Sequence, residues 1–274
     1  MVTGATLGLG RVTAEALAAQ GATVIAVARN PAKGEATIHE IKAATGNPAV
    51  TLMLCDLSSQ ASIRQLAKDF RGKYKQLHVL VNNAGAMNMR RTVTVDGYET
   101  TFAVNHLAYF LLTNLLLDVI KASAPSRIIN VSSEAQGNGK INFEDLQGEK
   151  GYSGMGAYMQ SKLANVMFTF ALARRLQGTG VTVNAVHPGP VATGFARNNG
   201  PIISAIMRVV GLFMLSPEQG ADTQIYLATS PDVANVSGKY FEKKKPIKPN
   251  RAAEDDAIVE RLWKVSEQLT GLAS

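Results

Sequence analysis

The chain has one cysteine and one tryptophan in 274 residues. A lone Cys55 cannot close an internal disulfide, which excludes a disulfide-built secreted scaffold and points to a reducing, cytoplasmic setting. No basic start followed by an apolar run is readable in residues 1 to 20, so no signal peptide is expected. Long hydrophobic runs are scarce too. The most apolar stretch, "LAYFLLTNLLLDVI" at 107–120, is too short to span a bilayer and includes Asn114 and Asp118, so it reads as a core helix. Only four histidines occur, His39, His78, His106 and His187, and their scatter offers no metal-ligand spacing. All four are expected to be structural or solvated. The formal charge of +7 is modest, and the densest basic stretch, "EKKKPIKPNR" at 242–251, has two prolines and no interleaved aromatics. It reads as a solvated loop, and no nucleic-acid partner is expected.

Hydrophobic residues make up 46% and charged residues 18%, the balance of an ordinary globular chain. Five β-branched-rich runs are apolar at nearly every position: "ATVIAVA" (22–28), "AVTLMLC" (49–55), "LHVLVN" (77–82), "RIINVSS" (127–133) and "VTVNAVH" (181–187). Such runs suit strands buried on both faces. Amphipathic segments alternate with them, among them "VTAEALAAQG" (12–21) and "SQASIRQLAKDFRG" (59–72), the latter with a Ser58 or Ser59 cap and a stop at Gly72. The alternation predicts an α/β fold: a single doubly wound Rossmann-type domain over 1–274, its mostly parallel central sheet flanked by helices.

The opening, "MVTGATLGLG", places glycines at 4, 8 and 10. If residues 1–5 end a strand, these glycines fall at the strand-to-helix turn, where backbone can approach a pyrophosphate and a helix N-terminus faces the anion. The spacing alone is a weak signal, and a strand near Val24 followed by a basic "VARNPAKG" strengthens it. Most NAD binders have an acid there, on the ribose 2′-hydroxyl. Here Arg29, with Lys33 nearby, suits a 2′-phosphate, which predicts NADP(H) rather than NAD(H). The alternative is that Arg29 is a solvated helix-entry residue.

"YMQSK" sets Tyr158 and Lys162 four residues apart, on one face of a helix. A neighbouring ammonium favours the phenolate, so the pair forms a tunable acid/base. The plain reading is a surface pair. "NVSS" and "NNAG" end strands at the same sheet edge, where ligands bind in open α/β folds.

In order, "TGATLGLG", "NNAG", "VNHLAYFLLT", "NVSS", "YMQSK" and "HPGPVAT" resemble the motifs of the short-chain dehydrogenase/reductase family, over essentially the whole chain. "QLHVLVNNAGAM", "SKLANVMFT", "RLQGTGVTVNAVHPG" and "SGKYF" are similar to its retinol dehydrogenase-like group. The resemblance implies that Tyr158 is the catalytic acid/base, that Lys162 lowers its pKa and holds the nicotinamide ribose, and that Ser133 hydrogen-bonds the substrate oxygen, with Ser132 structural. It implies that Asn105 holds a water linking Lys162 to solvent. On the cofactor side it implies Gly4, Gly8, Leu9 and Gly10 at the pyrophosphate and Arg29 at the 2′-phosphate. Asp56 and Leu57 are implied at the adenine, and Asn83 and Gly85 near the adenosine ribose. Pro188, Gly189, Val191 and Thr193 are implied at the nicotinamide.

Two departures from the family pattern stand out. Several apolar residues expected before Thr3–Gly4 are missing, which predicts an N-terminally incomplete sequence. The Ser133-to-Tyr158 gap also includes a polar insertion, "NGKINFEDLQGEKGYSGMG" (138–156), similar to one in the retinol dehydrogenase-like group. No hydrolase elbow lies there, since Gly151-x-Ser153 lacks the second glycine. "PIISAIMRVVGLFML" (201–215), within a lid implied over 195–215, suits a lipophilic alcohol, aldehyde or ketone; the alternative is an oligomer contact. Trp263 is expected to anchor a C-terminal helix. Beside the oxidoreductase reading stand a non-catalytic NADP sensor and a protochlorophyllide reductase-like enzyme, the latter disfavoured by the single Cys55. A homodimer and a peripheral membrane contact stay open.

Overall fold

The computed structural model describes residues 1–190 and 215–272. The strands are β1 (Val2–Thr3), β2 (Val24–Ala28), β3 (Val50–Leu54), β4 (Val79–Asn82), β5 (Ser126–Val131), β6 (Val181–Val186), β7 (Lys239–Glu242) and β8 (Lys245–Ile247). They form one sheet in the order β3-β2-β1-β4-β5-β6-β7-β8, parallel through β7, with β8 returning antiparallel. Every residue of β2 is buried, as is nearly every residue of β5 and β6, which is why these segments are mostly apolar rather than alternating.

Helices α1 (Gly8–Ala19), α2 (Pro31–Thr45), α3 (Gln60–Lys73), α4 (Thr100–Ala122), α5 (Gly154–Arg175), α6 (Pro217–Thr229) and α7 (Asp256–Thr270) cover both faces. One core joins Val2, Ile129 and Val186 of the sheet to Leu17 of α1, Ile41 of α2 and Leu227 of α6. The other joins Ile25, Leu80 and Val183 to Phe70 of α3, Leu112 of α4, Met167 of α5 and Trp263 of α7. Two cores back to back on one sheet are the doubly wound arrangement. Strand order reverses between β1 and β4, and the crevice at their C-terminal ends is where open α/β sheets take ligands.

Local chemistry explains the boundaries. The Asn30 side chain caps α2 by accepting from Lys33 N (2.9 Å), Pro31 follows it, and Gly46 ends the helix at φ +68°. Ser59, one of the two expected caps, starts α3 by accepting from Ser62 N (3.3 Å). In β1, Val2 pairs with both Ala26 and Val81, and the Met1 amino group extends the pairing by donating to Val79 O (2.8 Å).

Two expectations are corrected. The apolar stretch at 107–120 belongs to a 23-residue helix, long and apolar enough by composition to cross a membrane; two thirds of its most apolar window is buried within the fold. "EKKKPIKPNR" is a hairpin rather than a loop. Lys243 and Lys244 take φ of +48° and +63°, the left-handed pair that a two-residue strand turn requires, and β8 pairs with β7 through Tyr240↔Ile247. The buried Tyr240 and Phe241 pin that register despite the lysines.

Trp263 anchors α7 as expected. Its ring packs 4.9 Å from Phe110, the Arg175 guanidinium lies 3.8 Å over it, and its Nε1 donates to Glu267 Oε1 (2.7 Å). Trp263→Ala should destabilise the protein by about 3–5 kcal/mol, the usual cost of emptying a buried aromatic site. Urea denaturation measures it, and a loss below about 1 kcal/mol would show that α7 docks by other means.

Candidate active site

The glycine turn sits at the end of β1. Gly4 and Gly8 take φ of +66° and +53°, which side chains rarely tolerate. A Cβ on Gly10 would overlap Asn83 Nδ2 and Gly4 O, so only glycine lets α1 start this close to the turn. Leu7 precedes α1 and supplies no side-chain cap, so among the described residues no side chain caps the first-turn N–H groups of Gly8, Leu9 and Gly10. The "NNAG" turn braces this cradle. Asn83 N and Ala84 N donate to Thr3 Oγ1 (2.9 and 3.1 Å), and Asn83 Nδ2 donates to Thr3 O (2.8 Å). The Asn83 amide therefore shapes the turn, while Gly85 beside it is exposed.

Arg29 and Leu54 stand exposed at the adjacent ends of β2 and β3, and Arg29 makes no ion pair among the described residues. Asp56 stabilises the turn after β3: its Oδ1 accepts from Ser58 N (3.0 Å) and Ser58 Oγ (2.7 Å). Leu57 is half-buried against the core. A glycine turn and a helix start without a side-chain cap at the end of a parallel strand suit the pyrophosphate of a dinucleotide, and Arg29 stands exposed one strand away.

The reacting groups gather at the end of β5. Ser132 Oγ donates to Lys162 O (2.8 Å), locking β5 to α5, so its role is structural as expected. The Ser133 side chain accepts from Ala135 N (3.3 Å) and pulls the nearby Tyr158 phenol toward lower pKa. The buried Lys162 Nζ donates to Val131 O (3.1 Å) and lies 5.6 Å from the centre of the Tyr158 ring. Electrostatics here run against expectation. Burial raises the phenol to about 12, with Ser133 pulling the other way, and burial lowers Lys162 to about 7. Lys162 Nζ rests on the Val131 carbonyl, and burial is the largest influence on the phenol.

Asn105 lies in a π-helical turn of α4 spanning Ala103–Leu107, a distortion frequent at functional sites. Its Oδ1 accepts from Ala86 N (2.7 Å), and its Nδ2 donates to Ala86 O (2.9 Å) and Ser161 Oγ (2.9 Å). Both amide donors are thus bonded to protein, and Asn105 reaches the residue before Lys162 rather than Lys162 itself. The insertion at 138–156 packs onto the loop after β4: Arg91 Nε donates to Gln147 O (2.8 Å) and Tyr152 OH to Asn88 O (2.7 Å).

Pro188 and Gly189 follow β6 beside the Ser133 turn. Val191, Thr193 and, but for Leu215, the lid expected over 195–215 lie outside the described residues. Spacing offered no hint of three groups bonded to the Ser133 turn. Tyr240 OH donates to Ser133 O (3.0 Å), Asn250 Nδ2 donates to Gly137 O (2.9 Å) and Gly139 O (3.0 Å), and His187 Nδ1 accepts from Glu134 N (3.1 Å). Their partners lie 53 to 113 residues away in sequence, beyond the reach of any local pattern.

A dinucleotide cradle joined to a Tyr–Lys–Ser cluster on a doubly wound sheet defines a nicotinamide-dependent oxidoreductase. The model of the short chain dehydrogenase family matches residues 1–201. The chain is 46% identical to retinol dehydrogenase 12 of Mus musculus over 272 residues, covering 99% of this chain and 86% of that one. It is 45% identical to retinol dehydrogenase 13 of Homo sapiens over 278 residues, covering 99% and 84%. Among solved structures, an uncharacterized protein from Mycobacterium paratuberculosis superposes with a TM-score of 0.80 at 35% identity, over 98% of this chain and 91% of that one. The RhlG/NADP active-site complex of Pseudomonas aeruginosa gives 0.68 at 27%, over 88% and 92%. The chain belongs to the short-chain dehydrogenase/reductase family, in its retinol dehydrogenase-like group.

Proposed function

We propose that this protein is an NADP(H)-dependent oxidoreductase acting on a lipophilic alcohol or its carbonyl counterpart, with Tyr158 as acid/base. The observation that supports it best is the buried Lys162 Nζ lying 5.6 Å from the centre of the Tyr158 ring at the end of β5, at the same sheet edge as the Gly4–Gly10 cradle. The names of relatives, retinol dehydrogenases 12 and 13, favour a lipophilic alcohol. The exposed Arg29 favours a 2′-phosphate, and one solved neighbour is named as an NADP complex.

When bound, the nicotinamide supplies or accepts the hydride. The residues do the rest. In reduction, Ser133 Oγ donates to the substrate carbonyl oxygen and polarises it, and the Tyr158 hydroxyl gives its proton to that oxygen. With a pKa near 12, the phenol is fully protonated at neutral pH and ready to act as an acid. In oxidation the same oxygen must take the alcohol proton, which needs the phenolate. Lys162 moving off Val131 O toward Tyr158 favours that form. Gly8, Leu9 and Gly10 would hold the pyrophosphate through backbone N–H groups, and Pro188, Gly189, Val191 and Thr193 would seat the nicotinamide. The whole chain acts as one dinucleotide-binding unit, and the lone Cys55 suits a cytoplasmic setting.

A panel of aliphatic and aromatic aldehydes, ketones and alcohols, assayed with NADPH or NADP+, tests the proposal. Turnover that grows with substrate hydrophobicity supports it. NADPH binding with no turnover across the panel would instead favour a sensor.

A further inference from the structure

The two turns that face each other across the ends of β5 and β6 are joined through one ring nitrogen. His187 follows β6, its backbone N donates to Phe241 O (2.8 Å), and only 6% of it is exposed. Its Nδ1 accepts from Glu134 N (3.1 Å), the residue after Ser133, and from Gly189 N (3.3 Å), in the turn after Pro188. Two N–H donors on one nitrogen require that nitrogen to be unprotonated, so the ring proton sits on Nε2, 3.9 Å from Glu134 Oε2. Among the described residues, His187 is the one side chain bonded to both turns.

We infer that His187 is a positioning residue, whose bare Nδ1 sets the spacing between the Ser133 turn and the Pro188–Gly189 turn. The inference rests on the proposed function for what that spacing does: one turn presents the hydroxyl that meets the substrate oxygen, and the other seats the nicotinamide. Hydride transfer needs its reacting atoms within about 3–3.5 Å, so a clamp between these turns acts on the quantity that matters most. The Ser133 side is held independently by Tyr240 OH on Ser133 O and by Asn250 on the backbone of Gly137 and Gly139. On the other side, Leu215 N donates to Pro190 O (2.8 Å), and the His187 ring ties Gly189 N to the Ser133 turn.

The clamp is sensitive to acid. Burial lowers the ring's pKa from its ordinary 6.5; Glu242 and Glu134 pull it up, and Lys243 adds to the lowering. The fold therefore favours the neutral ring. Its contribution is whole above pH 6.5 and is lost as pH falls through the ring's lower folded value, when a proton on Nδ1 leaves both N–H groups facing a donor.

Three full-length proteins test this: wild type, His187→Leu, which removes the acceptor, and His187→Asn, whose side-chain oxygen can stand near the Nδ1 position. The readouts are amide hydrogen exchange at Glu134 and Gly189 without cofactor, NADPH binding by fluorescence, and the pH profile of kcat/KM. In His187→Leu both amides should exchange about five-fold faster, the loss of one net hydrogen bond each. Exchange in the Gly4–Gly10 turn should stay unchanged, and kcat should fall by about 10²-fold, as for a 1 Å misplacement. His187→Asn should restore slow exchange at both amides and abolish the wild-type loss of kcat/KM below pH 6.5. If only one amide or neither responds, or if the acid loss persists in His187→Asn, the clamp is wrong. Should His187→Leu fail to fold, acid-dependent exchange at both amides in wild type but not in His187→Asn decides the matter. Exchange and rescue as described with no carbonyl turnover would overturn the proposed activity and leave the clamp standing. A reductase with unaltered exchange would do the reverse.

Discussion

Tyr158→Phe should lower kcat for carbonyl reduction by about 10²- to 10⁴-fold, the usual contribution of a positioned acid, with NADPH affinity nearly unchanged. The substitution removes the phenol oxygen and leaves the ring in place on α5, while the glycine cradle sits on a different element. Lys162→Ala should reduce both kcat and NADPH affinity, since that side chain is assigned to the nicotinamide ribose as well as to the phenol. Stopped-flow single turnovers with NADPH, beside fluorescence titration, separate the two effects. A Tyr158→Phe enzyme that kept most of its single-turnover rate would remove Tyr158 from the mechanism even with the fold as described.

Arg29→Asp should shift the NADPH-to-NADH ratio of kcat/KM by about 10-fold. A hydrogen bond to a charged group contributes about 1.5–3 kcal/mol, and the new carboxylate repels the 2′-phosphate while accepting from a 2′-hydroxyl. Arg29 is exposed, so solvent screening holds the effect near the lower part of that range. The kcat with saturating cofactor should be little altered, because the ribose end is remote from Tyr158. An unaltered ratio would mean that Arg29 does not read the phosphate and that Lys33, exposed in the first turn of α2, is the next residue to substitute.

The parallel core of the sheet was legible because burial on both faces leaves a sequence mark: β2 is apolar throughout, and β4, β5 and β6 are rich in β-branched apolar residues with few polar interruptions. β7 and β8 left no such mark. They are four and three residues long, all of β8 is exposed, and lysines fill their turn, so their pairing depends on Tyr240 and Phe241 meeting a core built from elsewhere. In the site, Tyr158 and Lys162 were legible because helical spacing is local, and Ser133 because it ends a strand. The direction of the phenol's pKa was not legible, since it follows from how deeply the α5 face is covered and where Lys162 Nζ rests. Nor were the roles of Asn105 and His187, whose partners belong to other strands and loops.

The outermost strand bears on how this protein behaves when crowded. A sheet edge exposes a row of unpaired backbone groups that can template the strand of another molecule and seed aggregation. In β8, Pro246 lacks an N–H, and the exposed Lys245, with Lys248 just past the strand, would bring like charges together in any edge-to-edge meeting of two copies. Growth of the sheet from molecule to molecule across this border is therefore blocked both sterically and electrostatically. The same lysines that disguised the strand in the sequence act as its gatekeepers in solution.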